Sequence, residues 1–260
     1  MPGKHGITIT FLGTGTSQGV PVIACSCKVC TSTNPKDKRL RCSILVQSKT
    51  TTVVIDIGPD FRHQMLRENI KQLDAVLITH EHKDHVGGLD EVRAFNFVQK
   101  KHMDVYCTPH VHNELIQQFS YAFSDKKYPG APEIKIININ SSDIITIGDI
   151  SFQPIEVMHY KLPVLGFRIH DFTYLTDANY ISEPEMKKIE GSDILVLNAL
   201  HYDDHISHYT VPQAIEVMKK VNPKKGFFIH MSHRLGLHEE EEKKLPEFIR
   251  FAYDGLKVEI

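Results

Sequence analysis

The 260-residue sequence predicts an α/β fold, a four-layer αββα sandwich of mixed sheets with helices on the outer faces. Strand-like apolar runs recur in both halves of the chain, with helix-patterned segments between them rather than in a block of their own. Side chains able to bind metals gather where those runs end, so a site is expected at one edge of the sandwich. With 41% hydrophobic residues the chain can bury one sizeable core and is short for two, so residues 1–260 read as a single domain.

In the first half ITITF (7–11), SILVQ (43–47), TTVVIDIG (51–58) and AVLITH (75–80) read as strands. FRHQMLRENI (61–70) and the stretch from Leu89 to Lys100 read as helices, and residues 104–108 restart the strands. Gly87 and Gly88 let the backbone turn before the second of these helices. VHNELIQQFSYAF (111–123) predicts another helix, leading into the loop SDKKYPGAP (124–132). There Tyr121, Phe123 and Tyr128 could line a substrate pocket and Lys126 or Lys127 could meet a phosphate, although helix packing and a solvated loop are the plainer reading.

In the second half IKIININ (134–140), SFQPIEVM (151–158), GFRIHDFTYLTD (166–177), ILVLNAL (194–200) and GFFIHM (226–231) read as strands. The third of these is expected to be a hairpin turning at His170-Asp171. VPQAIEVMKKV (211–221) is the clearest helix: Thr210 and Gln213 form a capping-box pattern, Val211, Ile215, Met218 and Val221 share an apolar face, and Asn222-Pro223 stops it. EEEEKK (239–244) predicts a solvated helix face, with Glu239–Lys243 and Glu240–Lys244 at pairing distance. Neither an internal repeat nor a low-complexity segment is present.

The densest chemistry lies in Thr79-His80-Glu81-His82-Lys83-Asp84-His85, directly after the apolar run Ala75 to Ile78. If that strand runs on to His80, then His80 and His82 point the same way by the period-two rule, and a turn swings Asp84 and His85 around a second centre. Imidazole and carboxylate donors suit zinc, manganese or iron, and no thiolate in the cluster forces zinc alone.

THEHKDH resembles the signature of the metallo-β-lactamase superfamily, and the rest of that pattern follows along the chain. Asp56 in VVIDIGPD matches the aspartate that supports the metal loop. His159 matches the third histidine, Asp177 in YLTDAN the bridging carboxylate, and His230 the last ligand. The resemblance implies His80, His82 and His159 on one metal, Asp84, His85 and His230 on the other, and Asp177 between them. It implies two divalent cations, zinc or manganese, roughly 3.5–4 Å apart and holding a hydroxide that attacks phosphorus. Asp84 counts as catalytic as well as a ligand in that scheme.

Cys25, Cys27 and Cys30 form CSCKVC, and three close thiols call for a fourth ligand. His233 is the chosen partner for a structural zinc, because HMSH can deliver His230 to one centre and His233 to its neighbour. A disulfide is the alternative, but nothing suggests export, and reduced thiols are the norm in a cytoplasmic protein. Cys42 and Cys107 read as ordinary buried thiols.

Together with FLGTGTSQGVP (11–21) and HMSH (230–233), the cysteine element resembles the phosphoribosyl cyclic phosphodiesterase branch of the superfamily. That likeness implies a histidine upstream of the last ligand that protonates the leaving alkoxide, and the matching position is His208. His201 and His205 lie close enough to compete for the role.

The net charge of −2 and the lack of a long basic run argue against a large nucleic-acid partner. Neither an export signal nor a bilayer-length apolar run is visible, so a cytoplasmic protein is expected. The leading expectation is therefore a dinuclear-metal phosphodiesterase acting on a small, even cyclic, phosphodiester, with a homodimer allowed. The alternatives are a transfer-RNA 3′-end processing endonuclease, which lacks its usual protruding arm here, and a non-hydrolytic protein like the PQQ-biosynthesis B protein, which the complete ligand set disfavours. The substrate-binding residues, physiological substrate and active-site metal are not legible.

Overall fold

A computed structural model describes residues 4–126 and 128–260, and it contains two seven-stranded sheets packed face to face. The first sheet uses β1 (Thr8–Gly13), β2 (Ser43–Gln47), β3 (Thr52–Ile55), β4 (Ala75–Leu77), β5 (Met103–Cys107), β6 (Ile134–Asn138) and, at its far edge beside β1, β14 (Lys257–Glu259). The second runs β7 (Ile145–Ile147), β8 (Ile150–His159), β9 (Leu162–Ile169), β10 (Phe172–Tyr174), β11 (Ile194–Asn198), β12 (Lys225–Ile229) and β13 (Ile249–Phe251).

Alternation within each strand builds the layers. Ile44 and Val46, Val53 and Ile55, and Leu77 face inward against Phe152, Phe167, Phe172 and Ile229 of the other sheet. Their neighbours Leu45, Val54 and Val76 face outward, under Phe61 and Met65 of α1 (Phe61–Arg67), Phe95 of α3 (Arg93–Gln99) and Leu115 of α4 (Pro109–Gln118). On the opposite side Leu195, Leu197 and Phe228 pack under α6 (Glu183–Ile189) and α7 (Val211–Val221). Strands buried on both faces read as continuous apolar runs, which is why they stand out in the sequence. Each such side chain stabilises by about 1.5–3 kcal/mol, against about 0.3–0.5 for an exposed helical ion pair, so burial holds the sandwich together.

Strand direction then fixes where chemistry can sit. β3 to β6 run parallel, as do β10 to β13, and β8 shares the direction of β10 because each is antiparallel to β9. The carboxyl ends of β3, β4, β8, β10, β11 and β12 therefore open on common loop-bearing edges, where ligands of α/β sheets bind.

Several local expectations change. β4 ends at Leu77 rather than His80, and Asp84 and His85 lie in a one-turn helix, α2 (Lys83–Val86), with His82 at its N-cap. The helix after Gly88 begins as a 3-10 turn, Leu89–Val92, before α3. The next one breaks at Phe119 into α4 and α5 (Ser120–Phe123). Tyr121 and Phe123 pack against the outer core, and Tyr121 donates to Asp90 and stacks on Tyr128, so they serve packing; Lys127 lies outside the described residues. The capping box of α7 is present as expected, as is the hairpin at His170-Asp171.

The acidic run forms α8 (His238–Glu242), but the helix stops before Lys243. Instead of the expected i,i+4 pairs, Glu240 meets Lys28 and Glu239 accepts from Asn34, clamping the cysteine segment, while Glu241 is buried beneath Tyr202 and Lys244. Of the described residues, no helix is long and apolar enough to cross a membrane.

Candidate metal centre

Asp56 is the anchor of the metal loop. Its carboxylate accepts from the Thr79 backbone N–H at 2.9 Å and from the Thr79 hydroxyl, and it holds His85 Nδ1 at 2.7 Å. With Nδ1 engaged, the His85 Nε2 is turned toward Asp84 and Asp177, 3.2 Å from a carboxylate oxygen of each. Thr79 also touches His80 Nδ1 at 2.9 Å, fixing that ring in turn. A Cβ on Gly58 would lie 2.1 Å from the Asp84 carbonyl oxygen, and one on Gly88 would lie 2.2 Å from that of Gly58. Neither Gly87 nor Gly88 has a positive φ, so Gly88 serves close packing of the two loops rather than a tight turn.

The remaining donors arrive from the other sheet. His159, at the end of β8, places Nδ1 2.8 Å from the Ser207 carbonyl, which fixes the tautomer and leaves Nε2 free. Asp177 follows β10, and its two oxygens reach different partners: one lies 3.2 Å from His85 Nε2, the other 3.1 Å from His230 Nε2. His82 Nδ1 lies 3.0 Å from His80 Nε2, with the His159 ring centroid 5.2 Å from that of His82. Asp56, Asp177 and His230 all adopt left-handed backbone (φ 66°, 53° and 56°), a strain of order 1–3 kcal/mol per residue that functional sites commonly carry.

Six of the seven predicted donors converge in three groups together with His208, while His82 stands beside them against His80. Donor atoms of His80, His85 and Asp177, of Asp84, His85 and His230, and of His159, Asp177 and His208 each lie within 4.8 Å of one another. The buried nitrogens His85 Nε2, His208 Nδ1 and both of His230 have no hydrogen-bond partner among the described residues, although carboxylates stand close by. Lone pairs and carboxylates aimed at common points without hydrogen-bond geometry fit divalent cations.

The electrostatics agree. Burial pushes His80 and His159 down, keeping those imidazoles neutral and able to donate a lone pair, and it also lowers His208, to about 2. Burial also opposes charge on Asp84 and Asp177, but His85 and His230 outweigh it and hold both carboxylates well below their usual range. His85, encircled by Asp84, Asp177 and Asp56, is pushed well above its usual value despite burial.

The second cluster takes the geometry its spacing calls for. Cys25, Cys27 and Cys30 Sγ lie 3.3, 3.5 and 3.5 Å from His233 Nδ1. Tetrahedral zinc with Zn–S of about 2.3 Å and Zn–N of about 2.0–2.1 Å has S···N edges of about 3.5 Å, so the set fits. All five cysteines are free thiols. Cys27 is lowered to about 6, chiefly by the Cys30 backbone N–H, while burial raises Cys30 to about 11. Because His233 follows His230 so closely, this cluster braces the catalytic edge. We expect Cys27→Ser to lose this metal and lower the thermal midpoint by roughly 10 °C. Losing only about 3 kcal/mol of the roughly 10–16 kcal/mol that structural zinc supplies is enough, at about 2–4 °C per kcal/mol. An unchanged midpoint with unchanged zinc content refutes a structural role.

A family model described as a β-lactamase superfamily domain matches residues 51–231, most of the chain and all seven of the predicted donors. A solved structure described as a new diphosphatase from the PhnP family superposes with a TM-score of 0.91 at 37% identity, covering 98% of both chains. The chain belongs to the β-lactamase superfamily, and within it to the PhnP family. It is also 38% identical over 249 residues to an octanoyltransferase of Porphyromonas gingivalis, covering 95% of this chain and 50% of that protein. A ribonuclease Z of Nostoc punctiforme is 30% identical over 166 residues, 62% of this chain and 46% of that one. The chain spans about half the length of the curated relatives it matches. As a member of a hydrolase superfamily, this PhnP-family chain has a fold that implies divalent metals, and its His/Asp donors are their candidate ligands.

Sequence reasoning missed Thr79, Ser207 and the pair Glu81–His110, in which His110 Nε2 lies 3.2 Å from Glu81 Oε1. Thr79 stands inside the motif and was within reach. Ser207 acts through its carbonyl, for which side-chain identity gives no signal.

Proposed function

We propose that the chain is a dinuclear metal-dependent phosphodiesterase for small, including cyclic, phosphodiesters. One observation supports the reading most directly: Asp177 sets one oxygen against His85 and the other against His230, and its carboxylate also lies within 4.8 Å of donor atoms of His80, His159 and His208. In this reading His80, His82 and His159 hold one cation, Asp84, His85 and His230 the other, and Asp177 both. When bound, such a pair supplies an acidified water as nucleophile and neutralises charge on the phosphoryl oxygens. Asp56 and Ser207 orient His85 and His159 for that task. His208, stacked on His230 with centroids 4.7 Å apart and kept neutral by burial, stands where it can take the proton released by the nucleophilic water and pass it to the departing oxygen. Cys25, Cys27, Cys30 and His233 hold the structural zinc.

The PhnP-family relative is described as a diphosphatase, which supports a second reading, hydrolysis of a phosphoanhydride at the same centre. The octanoyltransferase likeness supplies no third, since the chain spans half of that protein. The deciding experiment assays the purified protein, loaded with zinc or manganese, on five substrates. They are bis(p-nitrophenyl) phosphate, a cyclic ribose phosphate, a cyclic nucleotide, an alkyl diphosphate and precursor transfer RNA. We expect turnover of the first two. Activity confined to the diphosphate selects the second reading, and activity confined to precursor transfer RNA moves the chain to RNA processing.

A further inference from the structure

We infer that a cavity beside the metal loop is the subsite for an uncharged, apolar ester arm of the substrate; this inference rests on the phosphodiesterase reading. The cavity holds about 400 Å³, within the usual range of ligand pockets, and none of the eight residues around the metal centre lines it. Thr108 and Pro109 follow β5 on one side, Ile139 follows β6, and Leu162, Pro163 and Leu165 of β9 close the other.

Topology puts this cavity next to the chemistry. The metal loop leaves the carboxyl end of β4, and β5 and β6 are the next two strands of the same sheet, with the same direction. One to two strand spacings are about 5–10 Å, the reach of a short alkyl ester from phosphorus. The far wall continues from the other ligand-bearing element, since Leu162 pairs with His159 in the β8–β9 hairpin. Two bonds tie the walls to the loop: His110, also lining the cavity, meets Glu81 at 3.2 Å, and the Leu165 backbone N–H reaches the Thr79 carbonyl at 3.1 Å.

The lining states the chemistry. Five of the six residues just placed on the walls are apolar or proline, and the cavity's charged residue is an acid, Glu156. No lysine or arginine among the described residues lines it. A second phosphate meets no lysine or arginine on the lining and one like charge, the neighbouring Lys188 ammonium being held by the Ser141 carbonyl and Glu185. An alkyl or other apolar ester group instead gains the free energy of burial, about fourfold in affinity per methylene. The subsite therefore selects a phosphodiester with one apolar arm over a diphosphate or a nucleic-acid backbone.

The test uses the metal-loaded protein and p-nitrophenyl phosphodiesters whose second ester is methyl, ethyl or butyl. It adds calorimetric binding of methylphosphonate and butylphosphonate. We expect kcat/KM to rise severalfold with each methylene. We also expect Ser141→Phe, which fills the cavity from the residue after Asn140, to bring the butyl-to-methyl ratio close to one. Pro163→Phe, at an exposed strand position, makes the same test should Ser141→Phe fail to fold. A flat chain-length series with ready turnover overturns the subsite and leaves the phosphodiesterase reading standing. No turnover of any diester, with butylphosphonate still bound severalfold tighter by the wild type but not by the filled variant, overturns the phosphodiesterase reading and supports the subsite. Failure of both readouts overturns both.

Discussion

Asp177→Ala is expected to reduce hydrolysis by about 10⁴-fold or more, the scale on which removal of one member of a catalytic unit acts. The carboxylate has an oxygen about 3 Å from each of two imidazoles, His85 and His230, and the Thr176 hydroxyl donates to it at 2.6 Å. Its loss removes a donor from both proposed cations at once and leaves His85 and His230 with Asp84 as the carboxylate they share. Metal content per chain should fall toward one, the cysteine-bound ion remaining. Alanine at this left-handed position adds backbone strain of about 1–2 kcal/mol, so Asp177→Asn is the fairer variant, because asparagine tolerates that conformation and keeps the shape. If Asp177→Asn retains all metals and full turnover, Asp177 does not join the two centres.

The metal loop was legible in the sequence because its donors are local: His80, His82, Asp84 and His85 fall within six consecutive positions, and only strand direction had to be supplied. His233 was legible by counting, since three thiols in six residues leave one coordination position and HMSH ends beside a catalytic ligand. What escaped lacks a local signal. β7, β13 and β14 are three residues long, and β14 exists because it pairs with β1 some 250 positions away, Thr8 opposite Glu259. Local spacing also misled at Glu239 and Glu240. Their helical partners were available, but tertiary placement beside Lys28 and Asn34 decided the contacts. A weak i,i+4 preference of about 0.2–0.5 kcal/mol yields readily to such placement. The cavity at β5 and β6 was invisible for the same reason, its walls coming from four strands and the loops after them.

His208→Ala should separate proton delivery from metal binding, because the two roles predict different losses. The imidazole is 8% exposed, its Nδ1 lies 3.7 Å from Asp177 and lacks a hydrogen-bond partner among the described residues, and its ring centroid is 4.5 Å from that of His159. That position allows ligation as well as donation. The other seven donors already suffice for two coordination spheres, which favours donation. The His205 ring lies tilted behind His208 at 5.0 Å, and His201 lies a further ring away at 6.0 Å from His205, so the competitors are placed to support His208 rather than replace it. General-acid assistance is worth about 10²–10⁴ in rate and counts most for a poor leaving group. An alkyl phosphodiester should therefore lose about that factor in His208→Ala. A p-nitrophenyl ester, whose phenolate departs unaided, should lose far less, and the count of catalytic metals should stay at the wild-type value. Equal losses on both esters rule out proton donation, and a missing cation makes His208 a ligand that completes the His159–Asp177 side of the centre.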